Sequence, residues 1–245
     1  MFHTFLYQPL FNLLIWLYNV IPGADLGFAI IGISLVIRLI LWPFSRASLK
    51  SQKALQDLQP KLDALKEQFK DDKEGLAKAM MTLYKEEKVN PMSSCLPLLI
   101  QLPILWALYS VMRDGMVASS LVNLYPFVAN PGAINLNFLG FINLAEPHIF
   151  MAVIAGALQF VQTKMLMTSR PPVKIRKEPG VKDENMLTQM NQSMMYLMPV
   201  MTVVIGASLP GGLTLYWIIM NIFAIIQQAL TFKKKKVAAV EVVKM

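Results

Sequence analysis

Residues 26–44 read LGFAIIGISLVIRLILWPF, 19 residues of hydrocarbon with a single charge, Arg38, among them. As a helix this run covers about 28 Å at ~1.5 Å per residue, close to the apolar thickness of a bilayer. An arginine within it costs roughly 2.5–3.5 kcal/mol on insertion scales, so something must solvate or pair the guanidinium. That requirement constrains the chain more than any other feature. With 55% hydrophobic and 16% charged residues in 245, the chain is too apolar for an ordinary soluble domain, and disorder is excluded.

Four further runs are apolar enough to span. Residues 95–112 (CLPLLIQLPILWALYSVM) hold Pro97, Pro103 and one strongly polar side chain, Gln101; residues 149–167 carry Gln159, Gln162 and Lys164. Residues 193–209 are rich in methionine, and residues 213–232 (LTLYWIIMNIFAIIQQALTF) follow the turn Pro210-Gly211-Gly212. Residues 1–25 are aromatic and uncharged before Asp25, with an apolar core of only 12 residues, 10–21, that still contains Asn12 and Asn19. They read as an amphipathic helix lying in the interface, with a sixth span as the alternative.

Residues 45–92 are different in kind. Ten Lys and Arg stand against eight Asp and Glu between Ser45 and Asn90, and Leu55, Leu58, Leu62, Leu65 and Phe69 recur at three- and four-residue spacing, as do Leu76, Met80, Leu83 and Tyr84. Asp71-Asp72-Lys73 separates the two patterns, and Pro60 suits a first helical turn. The expectation is an antiparallel helical hairpin in water; a merely solvated face gives the same charge run.

The cations set the orientation. The hairpin, the loop at 168–192 with Lys164, and the tail at 233–245 hold 21 of the 23 Lys and Arg, leaving only Arg38 and Arg113. Five spans place those three segments on one side, the cytoplasmic one, with the external connection at 113–148 and the amino terminus outside. No basic segment precedes the first apolar run, so no secretory signal is expected.

Enzyme chemistry has little material here. One cysteine, Cys95, and two histidines, His3 and His148, leave no metal cluster, and no phosphate-binding glycine loop or nucleophile turn occurs, so neither catalysis nor a cofactor is expected. What stands out is a group of polar side chains at membrane depth: Arg38, Gln101, Gln159, Gln162, Asn221 and the edge of Trp217. The five spans contain no Asp or Glu, so they offer Arg38 no carboxylate. Either Arg38 snorkels toward Ser45 and Arg46, or it lines a water-filled cavity open to the cytoplasm, where an unpaired cation attracts a transient carboxylate or phosphate. A secondary transporter for a small anion is the alternative class. The odd span count and the absence of an inverted repeat or an intramembrane acid stand against it.

The chain resembles the YidC-type membrane protein insertases. The likeness rests on the first span ending Trp42-Pro43, Val89-Asn90-Pro91 leading into CLPLLIQLPILWALY, AGALQFVQTKM, MNQSMMYLMPVM and, most specifically, LPGGLTLYWIIMNIFAIIQQ. It implies an all-α membrane protein with five transmembrane helices around a cytoplasm-open hydrophilic groove, a cytoplasmic hairpin and an amino-terminal interfacial helix. Arg38 would sit in the groove, with Gln162 and Trp217 lining it by position in their motifs; Gln101, Tyr216 and Asn221 join them on the residue reading. The expected client is a nascent membrane protein, with the ribosome, a Sec translocon and the signal-recognition-particle receptor as candidate partners. Lys233, Lys234, Lys235 and Lys236 suit ribosomal RNA or anionic lipid, and a plain positive-inside anchor equally well. The resemblance is to the short form: the expectation is a chain without the first anchoring span, large periplasmic domain or lipoprotein-type signal of other members.

Overall fold

A computed structural model of the chain describes residues 2–21, 23, 25–69, 72–90, 96–114, 118–168 and 184–232. Helices dominate: α1 Gln8–Val20, α2 Leu26–Ile40, α3 Trp42–Asp57, α4 Gln59–Gln68, α5 Lys73–Glu86, α6 Leu96–Asp114, α7 Ile149–Thr168, α8 Glu184–Gly206 and α9 Gly211–Phe232. Two of them, over Ile149–Leu166 and Gly211–Thr231, are long and apolar enough to cross a membrane, and a third if α2 and α3 are taken as one bent span. Shorter apolar helices cover Leu99–Arg113 and Met195–Gly206.

One departure from an all-helical chain lies in the connection between α6 and α7. There β1 (Asn137–Phe138) pairs antiparallel with β2 (Ile142–Asn143) around a turn in which Leu139 and Gly140 take positive φ. Only two residues per strand pair, which is why no alternating pattern announces them.

The Arg38 helix also differs from a straight 19-residue run. It stops at Ile40, and α3 leaves at 63° to it. Pro43 explains the bend, since it has no N–H for the Leu39 carbonyl and its ring crowds that carbonyl. The helical path resumes at once because the first turn of a helix tolerates proline, and Ser45 N–H bonds Leu41 O at 2.9 Å.

α1 shows why so short an apolar segment is ordered. Tyr7, Phe11, Leu14, Ile15 and Tyr18 form one buried stripe at helical spacing. α1 packs on α2 and α6, and its amides hold the connection: Asn12 Nδ2 donates to Asn123 O at 3.1 Å, Asn12 Oδ1 accepts from Tyr125 N at 2.6 Å, and Asn19 Nδ2 donates to Ala129 O at 2.7 Å. Asp25 caps α2 through Gly27 N at 2.7 Å and accepts from Leu139 N at 2.8 Å with its other oxygen. At α9, Gly211 N and Gly212 N donate to Glu146 O and Leu144 O. Side chains here would crowd the connection: a Cβ on Gly211 would stand 3.1 Å from Glu146 O, and one on Gly212 2.8 Å from Met112 Sδ. The connection thus closes this end of the helices, hereafter the connection end.

α7 packs against both α8 and α9 through small residues. Ala152 and Ala155 are fully buried, and a Cβ on Gly156 would fall 2.4 Å from Val203 Cγ2. At the opposite, hairpin end, α4 and α5 pack together. Leu58 and Leu62 are buried, Asp72 caps α5 through Gly75 N at 2.8 Å, and Lys61 pairs with Glu87 across the hairpin.

Candidate functional site

α9 carries two polar side chains on one stripe. Tyr216 and Gln227 are eleven residues apart, just over three full turns, so they point the same way about 16 Å apart along the helix. Each meets a different helix. Gln101 of α6 donates to Tyr216 Oη at 2.6 Å, and Arg38 of α2 donates from Nη2 to Gln227 Oε1 at 2.9 Å. Arg38 and Gln101 share a recess lined also by Leu41, Phe44, Ser45, Leu96 and Ile100, with room for about 30 Å³ of solvent. That volume suffices for one or two waters, and the recess is open on one side.

Arg38 therefore has a partner that residue types alone did not disclose. The partner is neutral, so the full charge stays uncompensated, and the pairing is incomplete: Arg38 Nε and Gln227 Nε2 are buried with no hydrogen-bond partner. Gln227 is 1% exposed. Both orphans are N–H donors, and each orphaned donor costs about 1–3 kcal/mol, more on a charged group. An acceptor with two oxygens is the chemistry that would satisfy both.

The remaining expected residues are spread more widely. Asn221 donates from Nδ2 to Ala155 O at 3.2 Å and so ties α9 to α7, on a face of α9 turned away from Arg38. Gln228, seven residues further along that face, is 1% exposed, and its Oε1 has no partner. Trp217 is half-buried and packs against the apolar core. Gln162 is half-buried on α7, and Gln159 contributes its carbonyl to the Thr163 hydroxyl at 2.9 Å. Arg38, Gln101, Tyr216 and Gln227 form one connected group; Gln162, Trp217 and Asn221 line neither its recess nor its bonds. Lys233, Lys234, Lys235 and Lys236 lie outside the described residues. No group of three metal-ligating side chains occurs among the described residues. Gln227 and Gln228 were the missed residues: the only signal was two adjacent amides in an otherwise apolar run.

A buried, half-paired arginine among amides, in a chain built from apolar helices, coincides with a match to a known family. The family model described as 60Kd inner membrane protein covers residues 16–238. The chain belongs to the 60Kd inner membrane protein family. A relative from Fusobacterium nucleatum subsp. nucleatum, named membrane protein insertase YidC, is 34% identical over 233 residues, which is 94% of this chain and 98% of that protein. Proteins of the same name from Mannheimia succiniciproducens (36% identical) and Ectopseudomonas mendocina (32%) match over 94% and 97% of this chain, which spans only 37% and 36% of their lengths. Family and apolar helices together make this a membrane protein of the bacterial inner membrane.

Proposed function

We propose that this chain is a membrane protein insertase, without covalent chemistry, that receives nascent membrane proteins from the hairpin end. The observation that carries the reading is the uncompensated Arg38 guanidinium, whose Nε and the neighbouring Gln227 Nε2 are buried donors awaiting an acceptor. In this reading five spans, at 26–44, 95–112, 149–167, 193–209 and 213–232, surround a groove open to the cytoplasm. The hairpin at 45–92, the loop at 168–192 and the tail lie in the cytoplasm; the 113–148 connection and the interfacial residues 1–25 lie outside. An acidic residue of the segment to be exported takes Arg38 as its temporary partner, with Gln101, Tyr216 and Gln227 around it. Gln162, Trp217 and Asn221 line the flank along which the client's apolar span moves into lipid. Hydrophobic transfer of that span, roughly 25 cal/mol per Å², supplies the driving force. Lys233, Lys234, Lys235 and Lys236 meet ribosomal RNA or anionic lipid, and a Sec translocon and the signal-recognition-particle receptor are the protein partners in keeping with such a role.

A photoreactive residue at position 101 or 217 should crosslink to a stalled, ribosome-bound membrane protein, whereas one at position 122 in the connection, where Val122 is 86% exposed, should not. Equal capture at all three positions, or none at 101, would overturn the reading.

A further inference from the structure

Beyond the bend at Leu41, α3 faces the last turns of α9 across an open cleft of about 680 Å³. Arg46, Lys50, Lys53 and Asp57 of α3 line it, at spacings of four, three and four, so they form one stripe. Three cations thus face one carboxylate. The α9 wall holds Leu230 and Gln227, the same residue that accepts from Arg38 and leaves its Nε2 unpartnered inside a 1% exposed side chain. Trp42 stands at the end of the cleft nearest the bend. Leu230 is 57% exposed, and Leu39 and Ile40, the last two residues of α2 before the bend, are 69% and 66% exposed.

We propose that this cleft binds the phosphate headgroup of an anionic phospholipid, with its acyl chains running along Leu39, Ile40 and Leu230. Two features favour a lipid over an acidic polypeptide. The cleft sits where an apolar helix turns into a charged one, and its cations share the cleft with the exposed Leu230, while the exposed Leu39 and Ile40 stand just before the bend on the apolar helix. Basic pockets between helices at a membrane face suit such headgroups, and each Lys or Arg near the surface contributes about a fivefold preference for them. Arg46 and Lys50 hold the phosphate, while Asp57 at the far end of the stripe keeps it toward Trp42. The site meets the Arg38 group at Gln227, but its phosphate-binding cations, Arg46 and Lys50, belong to neither that group nor its recess. It requires only that the bilayer boundary fall at the bend, so no client protein enters the test.

The full chain is reconstituted in phosphatidylcholine bilayers containing brominated phosphatidylglycerol or, in parallel, brominated phosphatidylcholine. Quenching of Trp42 is read as the difference between the chain and Trp42→Phe. The expected result is half-quenching at roughly thirtyfold lower mole fraction of the anionic lipid, from two charges at about fivefold each. Arg46→Gln with Lys50→Gln should abolish the preference, and Arg46→Lys with Lys50→Arg should retain it, which separates lost charge from lost fold. Equal quenching by both lipids, a preference that survives in the neutral variant, or relief of quenching by a soluble acidic peptide would each overturn the assignment.

Discussion

The two ends of this helical bundle treat their buried polar groups in opposite ways. At the connection end, Asn12 uses donor and acceptor, both Asp25 oxygens are engaged, Tyr18 Oη accepts from Asn135 N, and Gly211 and Gly212 donate to carbonyls of the connection. Toward the hairpin end, Arg38 Nε, Gln227 Nε2 and Gln228 Oε1 are buried and unpartnered. A fully satisfied network rigidifies, and a half-satisfied one stores binding capacity at a cost in stability. In the proposed function the two ends divide the work: stability at one, client binding at the other.

Mutations should separate the two properties. Asn12→Ala, at a site only 2% exposed, strands Tyr125 N–H and leaves Asn123 O with Gln8 Nε2 as its donor. It should cost about 3 kcal/mol, read as a lowered unfolding temperature in detergent, with insertion per folded molecule unchanged. Gly211→Val drives a side chain against Glu146 O and the Leu144 backbone. About 2 kcal/mol of stability should be lost, again without a change in client preference. If either variant altered which clients are inserted, the division between the ends would fail.

At the hairpin end the signs should reverse. Gln227→Glu gives Arg38 a built-in carboxylate at the position where Gln227 Oε1 now lies 2.9 Å away. Unfolding temperature should hold or rise, while insertion of acidic-tailed clients falls roughly tenfold, the worth of one charge-assisted hydrogen bond. An unchanged insertion rate would show that Arg38 is not the client's partner. Tyr216→Phe removes only the 2.6 Å bond from Gln101. It is the smallest expected effect, about 1 kcal/mol in stability and no more than a fewfold in insertion rate.

Much of this was legible in the sequence for identifiable reasons. Arg38 announced itself because a charge among 18 uncharged neighbours is costly wherever the helix goes. The leucine seam at Leu58 and Leu62 and the break at Asp72 are local patterns, readable from spacing and residue type. Gln227 was not legible as the partner, since 189 residues separate it from Arg38 and only the packing of α2 on α9 brings them together. Asn221 looked equivalent to Gln101 in composition, yet 100° per residue turns it toward Ala155 on α7. The bend at Leu41 was half legible: Pro43 marks a break, but the renewed helix beyond it depends on Ser45 N–H recovering the Leu41 carbonyl. The β1–β2 hairpin had too few residues to carry a period.

The central claim is that the charge partner of Arg38 arrives with the client. The most direct measurement compares Arg38→Ala with the unaltered chain in proteoliposomes, using one client in two forms whose exported tail is acidic or neutral. The account predicts a loss of about tenfold or more for the acidic tail, with the neutral tail inserted within twofold of the unaltered rate. Equal losses for both tails would contradict it and would reduce Arg38 to a structural residue held by Gln227.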